Sequence, residues 1–510
     1  MQAPARPKFG WRECLTLCLP ALVLGAILRI WFLTAIPEGF YGADSPSYFQ
    51  AVDRLWNEHR ISFSQKRRWL YPILLCPLPA LPASPARVIP VLQHLLGLAT
   101  VFGIGWIVGN LTRLRTLWVP VVTLVAAVMP ETLWDEHEVI SESVFLALFV
   151  LTVALAMPPG ALLDRKRLFW FLLAAAAVAG TKPHGRGIWL GSLVAAILLT
   201  GNPLKWGARC WGAIAAAVVL ILTSGEGRQG SWLLLNSSLP LVDLDAPKWK
   251  QYRDALRPIV LRARGELDQY AWTQKNYKKP ISDDDPTKVS PVWASLTSRE
   301  KEFYLVSRDL ARGAILEHPF LFAKLTLTKI AIAFAHCNEV DTDMDPVAFW
   351  RDQQIESNQQ WAGYAPQLRL FYRMNQPEYE KMVLERQTRH NSATPVVKAV
   401  TDHLTWLREN RDRATGKYWL SAGWLAILAP LAFLFCLGRF RATSVLWLPT
   451  ILYIGTVYAI GDRKGSYLQP VEWALLVLIA IGLDAALHTG YSFLSGRLKK
   501  QPPAPLSQQP

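Results

Sequence analysis

The sequence predicts an all-α membrane protein that crosses the bilayer about ten times. Apolar runs close to the length of a membrane-spanning helix recur along the chain. Hydrophobic residues make up 51% of the 510 residues, and the mean hydropathy is +0.17, which soluble domains of this size rarely reach. Short connections between the N-terminal runs alternate between basic and acidic, as expected for loops on opposite sides of a membrane.

The first apolar run indicates a retained transmembrane helix rather than a cleaved signal peptide. Arg6, Lys8 and Arg12 precede it, so its N-terminus is predicted to be cytoplasmic. The run is too long for a signal peptide and has no small-residue cleavage site. The predicted spans are 15–36, 88–109, 117–130, 139–158, 168–181, 187–201, 209–224, 418–437, 443–460 and 468–487.

Charge places the connections on two sides of the membrane. The connections 110–116, 159–167 and 202–209 are basic, whereas 131–138 and 182–186 are acidic or mixed. The positive-inside rule puts the basic set in the cytoplasm, so the chain is outside after its seventh run. The net charge of +15 fits these loops and anionic lipid head groups, and no nucleic-acid-binding motif is present.

This topology divides the chain into four segments. Because Lys324 and Lys329 disfavour a full crossing, the apolar stretch 319–336 is predicted to be interfacial or re-entrant. If it spanned, Arg439 and Arg441 would lie outside, against the charge rule. The segments are an N-terminal transmembrane module (1–224), a mainly helical extracytoplasmic domain (225–417), C-terminal transmembrane helices (418–488) and a disordered cytoplasmic tail (489–510).

One carboxylate stands out in the first outer loop, Gly42-Ala-Asp-Ser-Pro-Ser-Tyr48. Ser45 and Pro46 suit the first turn of a helix, and apolar residues then recur at helical spacing from Tyr48 to Trp56. Asp44 just precedes this interfacial helix. It is either a general base at the outer face or a simple helix cap.

Outward-facing cations run against the positive-inside bias and suggest an anion such as a lipid-linked phosphate. The alternatives are solvated turns and cations that snorkel to the interface. These cations come from three loops: Lys66, Arg67 and Arg68 from the first, Lys182 and Arg186 from the third, and Arg463 and Lys464 from the last.

Acidic residues follow the third run at i, i+4, i+7 and i+11, which predicts one acidic helical face. They are Glu131, Asp135, Glu138 and Glu142. Four like charges on one face require compensation by a divalent cation, by the cations of the outer loops or by solvent. Glu142 opens an apolar run, where a carboxylate is costly and usually functional.

These motifs, in this order, resemble the GT-C glycosyltransferases, in particular bacterial relatives of the protein O-mannosyltransferase and aminoarabinose transferase group. The resemblance covers most of 15–224 and 418–487 and is weak over 225–417. The matching pieces are Gly42–Tyr48, Trp69-Leu-Tyr-Pro72, Ile140-Ser-Glu142-Ser, Lys182-Pro-His-Gly185, Glu317-His-Pro319 and Arg463…Tyr467…Pro470.

The resemblance implies transfer of a sugar from a polyprenyl-phosphate donor to a glycan, lipid or protein acceptor at the outer face of a bacterial inner membrane. Asp44 would be the base, assisted by Asp135 or Glu136. A Mg²⁺ or Mn²⁺ ion would have Glu131, Asp135 and His137 as candidate ligands. The implied substrate-binding residues are Tyr48, Lys66, Arg67, Arg68, Tyr71, Glu142, Lys182, His184, Arg186, Arg463, Lys464 and Tyr467.

Two other functions are compatible with the sequence. A transporter or flippase of a lipid-linked or anionic substrate would also need cations at phosphate depth. It is less favoured because the charges cluster at the outer face and no repeated halves are visible. A non-catalytic relative acting as a scaffold is the third alternative.

Overall fold

The described part of the chain is helical, as predicted. The computed structural model describes residues 9–42, 44–63, 67–158, 160–223, 234–245, 249–269, 295–296, 299–335, 361, 363–391, 440–460 and 468–498. Within these ranges the helices are α1 (Trp11–Ala35), α2 (Ser45–Asn57), α3 (Leu70–Leu75), α4 (Pro85–Leu111), α5 (Arg115–Ala127), α6 (Pro130–Asp135), α7 (Glu142–Leu155), α8 (Arg165–Thr181), α9 (Gly185–Thr200), α10 (Ala208–Thr223), α11 (Lys250–Gln269), α12 (Glu300–Glu317), α13 (Pro319–Ala335), α14 (Gln376–Asn391), α15 (Phe440–Ile460) and α16 (Gln469–Leu498).

The described residues contain four helices long and apolar enough to cross a membrane, rather than ten. The predicted spans fall on helices, except 418–437, which lies outside the described residues. Several of these helices are short, however. The 13 residues of α5 rise about 20 Å, less than the ~30 Å of a hydrocarbon core. The four longer segments are Trp11–Thr34, Pro85–Leu111, Thr443–Ile460 and Gln469–Thr489.

The main hydrophobic core joins the apolar helices into one bundle. It takes residues from α1, α4, α5, α7, α8, α9, α10, α15 and α16. Helix α9 packs closely on α15 because Gly187 and Gly191 carry no side chain. A Cβ on Gly191 would overlap the backbone at Pro449, and one on Gly187 would overlap the backbone at Leu452. Small residues at such crossings let two apolar helices approach closely.

A second core lies beneath the first outer loop. It combines α2, α3 and the start of α4 with residues 361–383 of the predicted extracytoplasmic domain. Tyr41 donates a hydrogen bond to Gln367 over 2.6 Å, and Arg373 donates to the carbonyl oxygens of Pro79 at 2.8 Å and Pro82 at 2.6 Å. Part of the polar middle region is therefore fastened to the loop that carries Asp44.

The remaining described helices of the middle region form a third core between α11 and α12. Helix α13 follows directly and covers the stretch predicted to be interfacial or re-entrant. It lies against α15, where Lys329 donates to the Tyr458 carbonyl over 3.4 Å. Phe320 at its start is 89% exposed. Whether α13 crosses the membrane stays a prediction.

A buried carboxylate fastens α16 to the connection between α4 and α5. Asp484 is fully buried and accepts hydrogen bonds from the backbone N–H groups of Arg113 and Leu114, each over 2.8 Å. These groups lie just before α5 and have no partner within that helix. Asp484 therefore caps a helix that is distant in sequence.

Replacing Asp484 by alanine should lower stability by about 2–4 kcal/mol, because two backbone N–H groups would lose their charged acceptor. Asp164→Ala is a matched control, since Asp164 is an exposed cap that accepts a hydrogen bond from Lys166 N–H. That change should cost about 1 kcal/mol. Thermal unfolding of both variants in detergent measures the difference. Equal losses would contradict the structural role of Asp484.

Candidate functional site

The carboxylate of Asp44 lies at the start of α2 but does not cap it. Asp44 occupies the position before the helix, and its side chain makes no capping hydrogen bond. Instead it forms an ion pair with Arg67, while the side chain stays 62% exposed. The helix start is held by other groups: Ser47 donates to the Asp44 carbonyl over 2.6 Å, and Ser45 donates to the Val139 carbonyl over 3.1 Å.

Arg67 connects Asp44 to the buried side of α2. Its Nε donates to the Ser47 hydroxyl over 2.6 Å, and its guanidinium lies 4.5 Å from the centre of the Tyr48 ring. Burial opposes the charge of Arg67, yet the neighbouring Tyr48, Asp44 and Glu142 outweigh it and raise its pKa. Arg67 is thus a fixed cation within reach of two carboxylates.

Tyr48 continues this network into the protein. Its hydroxyl is hydrogen-bonded to that of Ser141 over 2.9 Å, and its ring meets the Tyr71 ring edge-on at 5.3 Å. Tyr71 donates to Gln93 Oε1 over 2.8 Å. The Gln93 amide in turn donates to backbone carbonyls of residues 135, 136 and 138, at 3.3, 3.0 and 2.8 Å. The network therefore ties the first outer loop to the second.

The predicted single acidic helical face is wrong. Helix α6 ends at Asp135 and α7 begins at Glu142, so no helix connects them. The segment between them pairs instead with Phe40, which donates to the His137 carbonyl over 2.9 Å and accepts from Val139 N–H over 3.0 Å. Helical periodicity does not hold across such a break.

Three of those acidic residues nevertheless stay close together. Burial, Glu142 and Glu138 raise the pKa of Asp135 well above its ordinary value. Gln469, from the start of α16, donates to Asp135. Glu142 forms an ion pair with Lys182, whose ammonium also lies 5.7 Å from the Phe145 ring. Lys182, which the sequence predicts to bind phosphate, therefore binds the Glu142 carboxylate in this structure.

Cations from two loops converge near His184, at the N-terminus of α9. Burial, together with the charges of Lys182, Arg186 and Arg68, lowers the pKa of His184 to about 4. Arg68 is 1% exposed, and its NH1 reaches the Ile221 carbonyl over 3.4 Å. The first and third outer loops therefore bring their predicted phosphate-binding cations to one region.

Glu136, predicted to assist catalysis, is fully buried in a set of ionic hydrogen bonds. Arg29 donates to both carboxylate oxygens, from Nε over 2.7 Å and from NH2 over 2.6 Å. His94 Nδ1 lies 2.7 Å from the same carboxylate. Arg29 also donates to the carbonyls of Gly25 and Ala127, at 3.1 and 3.2 Å. This environment favours a structural role for Glu136, because every oxygen is occupied and none faces solvent.

His137, a predicted metal ligand, is buried beside this ion pair. Its Nδ1 lies 3.1 Å from His94 Nε2, and its Nε2 lies 3.2 Å from the Glu38 carbonyl. Burial and the nearby His94 lower the pKa of His137 well below its ordinary value, so its ring is neutral at pH 7. Both ring nitrogens are engaged, which leaves neither for a metal ion in this arrangement.

The other predicted metal ligands are not brought together by the described residues. Within that part of the chain, no group of three or more His, Cys, Asp or Glu side chains is placed to hold a metal ion. Glu131 lies in α6, but its side chain is outside the description. The divalent cation stays a prediction. Four further predicted site residues also lie outside the described residues: Lys66, Arg463, Lys464 and Tyr467.

Several residues of the network were not identified from the sequence. Arg29, Gln93 and His94 lie within the apolar helices α1 and α4, where polar side chains are expensive and seldom without a role. A polar residue inside an apolar run is therefore the sequence signal that could have identified these three residues. Ser141 and Gln469 carry no such signal, because neutral polar residues are common at helix ends.

No protein-family model matches this chain, and no curated protein or solved structure matches it. The function of the site is therefore inferred from the chemistry of its side chains. Its features are an exposed carboxylate, a convergent set of cations and a rigid network beneath them.

The Glu136 carboxylate depends on the absence of a side chain at residue 97. A Cβ on Gly97 would overlap this carboxylate, so Gly97→Ala should displace it from Arg29 and cost roughly 2–5 kcal/mol. Gly212→Ala is the control, because no atom lies within 4 Å of its added Cβ. It should change stability by less than about 1 kcal/mol. The measurement is thermal unfolding in detergent, and a tolerated Gly97→Ala would disprove the tight packing.

The raised pKa of Asp135 predicts a pH effect on stability. Unfolded Asp135 titrates near pH 4, whereas the folded carboxyl stays protonated at higher pH. The folded state then binds more protons, so this group lowers stability as pH rises above about 4, by up to ~1.4 kcal/mol per pH unit. Asp135→Asn should flatten the stability curve as pH rises above about 4, and the control Asp53→Asn should not. An unchanged slope in Asp135→Asn would refute the assignment.

Proposed function

We propose that this protein is a membrane glycosyltransferase that moves a sugar from a polyprenyl-phosphate donor to an acceptor hydroxyl at the extracytoplasmic face. The observation that carries the proposal is the placement of Asp44. Its carboxylate is exposed, does not cap α2, and is held by an arginine that could also hold a phosphate. A general base requires an accessible carboxylate at a fixed position, which this arrangement supplies.

In the proposed reaction, Asp44 accepts the proton of the acceptor hydroxyl as its oxygen attacks the anomeric carbon. The bond from that carbon to the phosphate oxygen breaks, and polyprenyl phosphate leaves as an anion. Cations near the leaving oxygens stabilise this developing charge. The described candidates are Arg67, Arg68, Lys182 and Arg186, which reach one region from two loops.

The ion pair between Asp44 and Arg67 suggests how donor binding prepares the base. In this ion pair, Arg67 occupies one oxygen of the Asp44 carboxylate. The donor phosphate competes for Arg67 and can bind it bidentately. Shifting Arg67 toward the phosphate would leave Asp44 free to take a proton, so the base is activated when the donor is present.

A transporter or flippase is the less favoured alternative. Charged groups in transport pathways usually lie near the membrane midplane. In this chain Arg29 lies in the second half of the first candidate span, and His94 lies in the first half of the second. Both are also held in closed hydrogen-bond networks. These features suit a rigid support better than a moving binding site.

The proposal includes the finer architecture implied by the GT-C resemblance. The chain would form a GT-C-like bundle in a bacterial inner membrane, with the shorter apolar helices completing about ten crossings together with the undescribed 418–437. The site would face the periplasm. Glycans, lipids and proteins all remain acceptor classes, and Asp135 is a candidate metal ligand that interacts electrostatically with Lys182.

The test is sugar transfer from a labelled polyprenyl-phosphate sugar by the purified full chain. Asp44→Asn should lower the transfer rate at least about 100-fold, since the amide cannot accept the proton. Asp53→Asn is the matched control, because it removes a carboxylate from the same helix and should retain the rate within about twofold. Comparable thermal unfolding of the two variants verifies that both fold.

Two outcomes would count against the proposal. Wild-type transfer by a folded Asp44→Asn would remove Asp44 as the base. Absence of transfer to any acceptor, combined with movement of the lipid-linked sugar across sealed vesicles, would favour the transporter.

A further inference from the structure

A buried arginine in the third core has no described partner. Arg253 lies on α11 between the core residues Tyr252 and Leu256 and is 4% exposed. Its Nε and NH2 atoms are enclosed and donate no hydrogen bond to any residue that the structure describes. A guanidinium stays charged at any physiological pH, so enclosing it without a counter-charge is strongly unfavourable.

The two other arginines with described contacts on the same helix have partners. Arg257 is half-exposed and lies 3.7 Å from Asp254 and 3.9 Å from Asp245. Arg264 donates to two backbone carbonyls near the start of the unit, over 3.0 and 2.8 Å. Solvent or protein groups therefore satisfy the hydrogen-bonding groups of Arg257 and Arg264. Arg253 is more deeply buried than either, and two of its nitrogen atoms have no described hydrogen-bond partner.

The chemistry of the free atoms defines a ligand class. Nε and NH2 lie on one edge of the guanidinium plane, and two parallel hydrogen bonds from this edge match the two oxygens of a carboxylate or phosphate. Ser307, on α12 in the same unit, is also fully buried, and its hydroxyl has no described hydrogen-bond partner.

We infer that the α11–α12 unit contains an oxyanion-binding site in which the Nε–NH2 edge of Arg253 holds a carboxylate or phosphate group. The enclosure of Arg253 selects a small anion or the terminal group of a larger molecule. This site is separate from the Asp44 region and does not depend on the proposed transferase activity.

The test is isothermal titration of the detergent-solubilised full chain with inorganic phosphate and with glucuronate, against chloride at matched ionic strength. Wild type should bind at least one of the two oxyanions saturably. Arg253→Leu should weaken that binding at least about tenfold, because two charge-assisted hydrogen bonds are lost. Preference for glucuronate or for phosphate identifies the ligand as a carboxylate or a phosphate.

A control variant separates this site from neighbouring cations. Arg257→Leu removes a cation one turn away and should change the affinity by less than about twofold. Arg253→Lys, which keeps the charge but loses the two-pronged edge, should bind more weakly than wild type and serves if Arg253→Leu does not fold. Absence of oxyanion binding to wild type, or unchanged affinity in Arg253→Leu or Arg253→Lys, would overturn the inference.

Discussion

The buried ion pair between Arg29 and Glu136 is the interaction on which the outer face of the bundle depends. Both side chains are at most 2% exposed, so each charge needs the other to be tolerated. Glu136 belongs to the second outer loop. Its two partners come from different helices, Arg29 from α1 and His94 from α4. One carboxylate therefore fixes a loop to two helices, and moving that loop would leave charges buried without partners.

The position of Asp44 follows from this anchored loop. Residues next to Glu136 pair with Phe40, and Ser141 holds Tyr48 on α2. Asp44 lies between these two attachments and is itself exposed. Rigid attachment on both sides with an accessible carboxylate between them is the combination that precise positioning of a reacting group requires. The backbone is fixed by the network, while the functional atom remains available to solvent.

The sequence predicted local features of this arrangement but not its pairings. The apolar runs, α2 and the outward cations follow from composition and spacing. The partner of Arg29 is 107 residues away, a separation that periodicity cannot bridge. Lys182 was predicted to bind phosphate, yet it pairs with Glu142 here, because a nearby counter-charge stabilises a partly buried ammonium. The acidic face failed because residues between α6 and α7 pair with Phe40 instead of continuing a helix.

The paired charges around the proposed site bear on the anionic donor that the proposal requires. Asp44 offsets Arg67 and Glu142 offsets Lys182, so these two pairs contribute little net charge. The raised pKa of Asp135 favours its protonated form, which carries no negative charge. An incoming phosphate can exchange with the paired carboxylates, and each exchange releases an acidic group near the substrate. Pairing in the free protein is therefore compatible with phosphate binding and supplies a reason for carboxylates and cations to alternate here.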